Sequence, residues 1–240
     1  MVIRFAVIAL LLVAQQPETM SLLGVPLYAP PLPKKERKKA EADWAQAYEA
    51  YKQKPSEPAT VLALGRANLA LGRVGDALEL LTRGLETSPD DPALLAERGR
   101  GYILFRKFTV AERDLRKAAP TVPAARCSLA LTLYLQADFA RARDTYKGCE
   151  NPGPLAALAE RRAAPAPAAA PQPRDASDTI ESRYVDAIAR LAAGDADAAR
   201  EQLKKIVEKD RKNGWMDEIY IAAEADYARV YKPERRKKRL

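Results

Sequence analysis

The 240-residue sequence contains no histidine. That removes the usual general base and proton shuttle, the serine and cysteine triads, and most zinc sites. Two cysteines are too few for a zinc or iron–sulfur centre. No Gly-rich phosphate loop, G-x-S-x-G element or paired-Cys motif occurs. An enzyme built on carboxylates alone is the catalytic rival, but Glu86, Asp90, Asp91 and Glu97 fall where helix ends and solvated faces account for them. Aromatics are 7% of the chain, whereas Ala, Leu and charged residues dominate, a helical composition. The sequence calls for no cofactor and no metal.

Long hydrophobic runs are missing too. The longest, Phe5–Ala14, is ten residues, where a membrane span needs about 20. It follows Arg4 and is stopped by Gln15-Gln16-Pro17, which predicts a signal peptide over 1–14 cut after Ala14; an uncleaved anchor or a buried helix are the alternatives. The predicted location is therefore periplasmic or secreted.

Residues 15–33 form an extended arm punctuated by Pro17, Pro26, Pro30, Pro31 and Pro33, which suit neither a helix nor an inner strand. Its apolar stretch Leu22–Tyr28 predicts that it lies on the folded body or on a partner; a disordered leader is the other reading. Lys34–Lys54 reads as a helix with Trp44, Ala47, Tyr48 and Tyr51 in one core-facing stripe, within an N-terminal segment 34–57.

An internal repeat follows. Pro58–Asp91 aligns with Pro92–Ala125 at an offset of 34: Leu64-Gly65 on Arg98-Gly99, Gly72 on Arg106, Ala77 on Ala111, Leu81 on Leu115, Pro89 on Pro123. A third copy carries Ala130, Phe139, Ala142 and Tyr146. Each unit predicts two amphipathic helices. Small residues (Gly65, Gly99, Ala130; Ala77, Ala111, Ala142) stand at close approaches, and Pro89 and Pro123 end second helices. One pair cannot bury its own stripe, so copies must stack.

With this period, small-residue pattern and closing Pro, the sequence resembles the tetratricopeptide repeat family, in an exported bacterial form. The implied fold is an all-α, right-handed superhelical solenoid of antiparallel helix pairs. Three repeats occupy 58–153, an Ala/Pro-rich linker 154–178, a fourth repeat with a capping helix 179–232, and a basic tail 233–240. Asn68, Thr132 and Arg126 depart from the pattern at positions where apolar residues are expected. Gly194–Asp197 reads as an inter-helix turn rather than a metal loop.

Cys127 and Cys149 fall at the two ends of one antiparallel unit, which leaves open a disulfide, worth about 3 kcal/mol, or two buried thiols. The resemblance implies a peptide-binding groove along the first helices, at Leu62, Arg66, Leu69, Glu97, Arg100, Ile103, Leu131 and Tyr134. Arg66 and Arg100, 34 apart, would stack over an apolar floor and suit an acidic, apolar peptide. The implied role is a non-enzymatic scaffold or adaptor between proteins. Its rivals are an accessory factor of an envelope-assembly or polysaccharide-handling machine, and a binder of anionic surfaces or nucleic acid through the tails. The net charge of +8 bears on the last: Lys34–Lys39 carries +4 and Lys232–Leu240 carries +5, so the rest is nearly neutral.

Overall fold

The computed structural model describes residues 16–164 and 178–231. The apolar N-terminal run, most of the Ala/Pro linker and the basic tail lie outside the described residues. After the arm, helices run α1 (Lys34–Gln53), α2 (Pro58–Ala70), α3 (Val74–Thr87), α4 (Pro92–Leu104), α5 (Phe108–Ala118), α6 (Pro123–Leu135), α7 (Phe139–Tyr146) and α8 (Pro154–Ala163). They continue with α9 (Ile180–Ala192), α10 (Ala196–Lys209), the single turn α11 (Arg211–Gly214) and α12 (Glu218–Val230). Consecutive helices pack as neighbours from α1 to α8 and again from α9 to α11, and α4 also touches both α2 and α6. The architecture is an all-α solenoid of antiparallel pairs: α2/α3, α4/α5, α6/α7 and α9/α10.

The small residues decide how closely the pairs approach. A Cβ on Gly65 would stand 2.9 Å from Leu81 Cδ2, one on Gly99 2.6 Å from Leu115 Cγ, and one on Gly84 2.6 Å from Val61 Cγ1. Leu81 and Leu115 are themselves fully buried. We expect Gly99→Ala to lower stability by about 1–2 kcal/mol in denaturant melts. Overpacking against Leu115 outweighs the helix-propensity gain of up to about 1 kcal/mol.

Helix starts follow local chemistry. Pro58, Pro92 and Pro123 each occupy the first helical position, where a missing N–H costs nothing. Pro123, expected as a terminator, therefore opens α6 instead. Asp91 caps α4 by accepting from Ala93 N and Leu94 N, both at 2.9 Å. The turn inside each pair requires one left-handed residue: Gly72 (φ +73°), Arg106 (φ 58°), Ala137 (φ 64°) and Gly194 (φ +80°). Glycine meets that demand without steric cost, and Arg106 and Ala137 do not.

The arm is extended and, among the described residues, has no inner strand: β1 (Thr19–Met20) pairs antiparallel with β2 (Pro26–Leu27) in a minimal hairpin, while two other expectations change. Pro26 is tolerated there because an edge position needs no N–H. The arm lies on the body, with Leu27 buried and Tyr28 O accepting from Trp215 Nε1 at 2.6 Å. In α1 the stripe is only half covered. Trp44, Ala47 and Tyr51 pack against the core, but Tyr48 is exposed and stacks on Trp44 at 5.0 Å between centroids. Finally, the last helix, Glu218–Val230, is not a one-sided cap. Every residue from Ile219 to Tyr227 is buried, because α12 packs on α9 and α10 and also reaches α6 of the third repeat.

Candidate functional site

The first helices of the three repeats share one face, and α12 closes it from the side. Between them lies a recess of about 340 Å³. Its apolar floor is Leu69 of α2, Ile103 of α4, Leu131 of α6, and Met216 and Ile221 from the C-terminal segment. These come together because α2, α4 and α6 present equivalent helical positions in register, while α12 turns back across them.

Charge is organised around Glu97, whose side chain is 3% exposed. Its Oε2 accepts from Arg66 Nε at 3.0 Å and its Oε1 from Arg100 Nη1 at 2.8 Å. Both arginine side chains remain more than half exposed, at 58% and 56%. Arg66 and Arg100 are therefore not bare cations stacked over the floor, as the 34-residue spacing implied; one buried carboxylate bridges them. Charge-assisted hydrogen bonds of this kind hold the guanidinium planes in place while leaving their outer edges to solvent. Opposite stands Glu218. The surrounding protein desolvates its carboxyl and raises it above the usual carboxylate range; Asp217 adds repulsion and Arg100 opposes. The recess thus has an apolar floor, a balanced set of charges and two orientable guanidiniums at the rim.

Of the groove residues expected from sequence, Arg66, Leu69, Glu97, Arg100, Ile103 and Leu131 line this recess. Leu62 and Tyr134 do not. Leu62 is half-buried and packs against the core. Tyr134 is 1% exposed, so it offers no surface to a ligand. Its hydroxyl lies 2.9 Å from that of Tyr184 and accepts from Arg162 Nη1 at 3.1 Å. Tyr184 in turn donates to Asp226 Oδ2 at 2.7 Å, and Arg162 grips Asp226 with bonds of 2.6 and 3.0 Å. Burial raises both phenols above their ordinary range. This network seals α12 against α6 and α8 and takes Tyr134 out of the groove.

Sequence reasoning missed Met216, Glu218 and Ile221. The available signal was the pair Glu224 and Asp226, two acids inside an otherwise apolar and Ala-rich helix. Acids there must find buried cations elsewhere in the chain, and they do: Arg106 meets Glu224 at 2.6 Å, and Arg162 meets Asp226.

Cys127, in the first turns of α6, and Cys149, after α7, are joined by a disulfide with 5.2 Å between Cα atoms. Among the described residues no group of three or more acidic, His or Cys side chains could hold a metal. No described helix is long and apolar enough to cross a membrane.

No curated protein matches the chain. Residues 58–101, which span α2, α3 and most of α4, match the family model described as tetratricopeptide repeat. The stacked helix pairs with their shared inner face form a tetratricopeptide-like solenoid, and residues 58–101 match the model of a repeat that in general mediates protein–protein interaction.

Proposed function

We propose that this protein is an exported, non-enzymatic scaffold that holds a peptide segment of a partner protein in the inner-face recess. The observation that carries the reading is the recess itself: three first helices and α12 present apolar side chains beneath two guanidiniums already fixed by Glu97. Such a site suits a segment with one or two apolar side chains flanked by carboxylates. The apolar part fills the floor over Leu69, Ile103 and Leu131, and the carboxylates meet the outer edges of Arg66 and Arg100. Because the walls are preformed, little of the binding energy is spent on ordering the protein. The apolar run at 5–14 and the Cys127–Cys149 bridge support an oxidising compartment outside the cytoplasm.

A photoreactive side chain placed at Leu69 or Met216 in the exported full chain tests this. It is expected to crosslink one reproducible partner, whereas the same group at Glu79, on the outer surface of α3, does not. Arg66→Ala with Arg100→Ala is expected to weaken that partner's affinity about tenfold or more, the scale of losing a charge-assisted hydrogen bond. Equal crosslinking from Leu69 and Glu79, or an unchanged affinity in the double variant, would sink the assignment. A reporter fused after residue 33 and retained in the cytoplasm would remove the exported part alone.

A further inference from the structure

A second, larger cavity lies away from the inner face. A cleft of about 770 Å³ opens where the arm crosses the body, between residues 26–32, the start of α1, the α2–α3 turn and α11. Its walls are fixed. Trp215 Nε1 holds the Tyr28 carbonyl at 2.6 Å, and Leu27 is buried beneath it. The turn residue Gly72 lets Pro30 come so near that a Cβ there would stand 3.0 Å from Pro30 Cδ. This contact sets the arm tightly over the turn and puts Arg73, the next residue, at the cleft.

Four cations line the cleft, Arg37, Arg73, Arg211 and Lys212, against the one carboxylate of Glu41. They come from three elements far apart in sequence. Among the described residues none of the four makes an ion pair, although this protein pairs its arginines almost throughout. The arginines that share this condition elsewhere are Arg126 and Arg161, and neither lines the cleft. Arg37 belongs to the basic run Lys34–Lys39, and outside that run and the C-terminal tail the chain is close to neutral, so this surplus of positive charge is local. Like charges gathered in a concave site with apolar walls repel one another and concentrate their field on whatever enters. The remaining wall is Pro30, Pro31, Leu71 and Trp215. The volume lies within the roughly 300–1,000 Å³ typical of small-molecule sites, well beyond what one inorganic anion needs.

We propose that this cleft binds a small polyanion, a molecule carrying two or more phosphate or carboxylate groups on a compact frame. Arg37, Arg73, Arg211 and Lys212 contact its anionic groups, and the proline and tryptophan wall meets the frame. Planar guanidiniums recognise both phosphate and carboxylate by paired hydrogen bonds, so the shared chemistry is multiple, closely spaced negative charge. The site is separate from the inner-face recess and stands whether or not a peptide binds there.

The protein carries its own reporters. Its two tryptophans are Trp215, in the cleft wall, and Trp44, whose ring lies 5.3 Å below the Arg73 guanidinium. Tripolyphosphate and citrate are titrated separately into the full chain at low salt, with tryptophan fluorescence as readout. Saturable, one-to-one binding of at least one probe is expected. Binding of tripolyphosphate alone assigns phosphate as the ligand group, of citrate alone carboxylate, and of both the shared chemistry. Arg73→Ala and Arg211→Gln are each expected to weaken binding tenfold or more, with circular dichroism unchanged. Arg126→Ala, and truncation after Tyr231, are expected to leave it intact. The proposal fails if neither probe saturates below millimolar concentration. It also fails if Arg126→Ala or the truncation weakens binding as much as Arg73→Ala, since that would mark diffuse attraction to anionic surfaces or nucleic acid.

Discussion

Replacing Arg106 by alanine is expected to lower the unfolding free energy by about 3–5 kcal/mol, the cost of leaving a buried charge without its partner. Arg106 and Glu224 have side chains 3% and 0% exposed and meet at 2.6 Å. The same guanidinium donates to Leu104 O at 2.7 Å and to Trp215 O at 2.9 Å. Glu224 also accepts from Leu22 N of the arm at 2.5 Å. One buried pair therefore ties the α4–α5 turn, α12 and the arm together. The backbone of Arg106 is left-handed, a conformation that costs a residue with a Cβ about 1–2 kcal/mol. A glycine would remove that cost, as Gly72 does at the same place one repeat earlier. Arg106→Gly should accordingly be less destabilising than Arg106→Ala by about 1 kcal/mol, because it loses the ion pair but relieves the turn. Arg106→Met combined with Glu224→Leu should recover most of the loss, since paired apolar residues replace buried ion pairs at little cost. Urea melts of the four proteins separate these terms. A loss below about 1 kcal/mol for Arg106→Ala would show that water reaches Glu224 and that α12 is held by apolar packing and the Arg162–Asp226 network instead. Met216, Glu218 and Ile221 share a segment with Glu224, so the same variants should also loosen the inner-face recess.

The repeats were legible in the sequence because stacking constraints are local and periodic. Gly65 and Gly99 stand out at an offset of 34 because Leu81 and Leu115 leave no room for a Cβ at either place. The same regularity brought six groove residues to one face. What periodicity could not supply was the return of α12, because that depends on single long-range partners rather than on a repeating pattern. Arg106 aligns with Gly72 as one more position of the repeat; its role emerges only when Glu224, 118 residues away, is beside it. Tyr134 likewise aligns as a groove residue and is withdrawn by Asp226 and Tyr184, which belong to the far half of the chain. Asn68, an apparent flaw at an inward position, accepts from Trp44 Nε1 at 2.9 Å. It satisfies the only polar atom of that ring, so the polar side chain and the tryptophan of α1 explain each other. The cationic cleft was hidden for a related reason. Arg37, Arg73 and Arg211 are scattered along the chain, and the net charge of the body concealed where its unpaired part gathers.

Replacing Cys127 and Cys149 together by alanine is expected to cost about 3 kcal/mol. A bridge between residues 22 apart removes that much loop-closure entropy from the unfolded chain. The third repeat is where such a bridge matters most. Its second helix, α7, is eight residues long, and only Ala142 and Tyr146 in it are buried. Arg126 adds one bond, from Nη1 to Gly148 O at 3.1 Å, at an exposed position. With so little apolar area to hold α7, the disulfide fixes its end to the first turns of α6 and keeps the face that α8 covers. For a domain of this size a loss of about 3 kcal/mol lowers the melting temperature by roughly 6–12 °C. Each single Cys→Ala variant should lose as much as the double variant, because either one abolishes the bridge. Reduction of the wild-type protein by dithiothreitol should reproduce the shift and leave the double variant unaffected. Two thiols that merely packed as small apolar side chains would behave differently: each substitution would cost under about 1 kcal/mol, the two costs would add, and reduction would change nothing. The same comparison bears on the compartment. The exported mature chain should be two hydrogens lighter than the same residues, 15–240, made and kept in a reducing cytosol, and only the exported form should resist proteolysis between α6 and α8, because the third repeat gains its stability where the bridge is made.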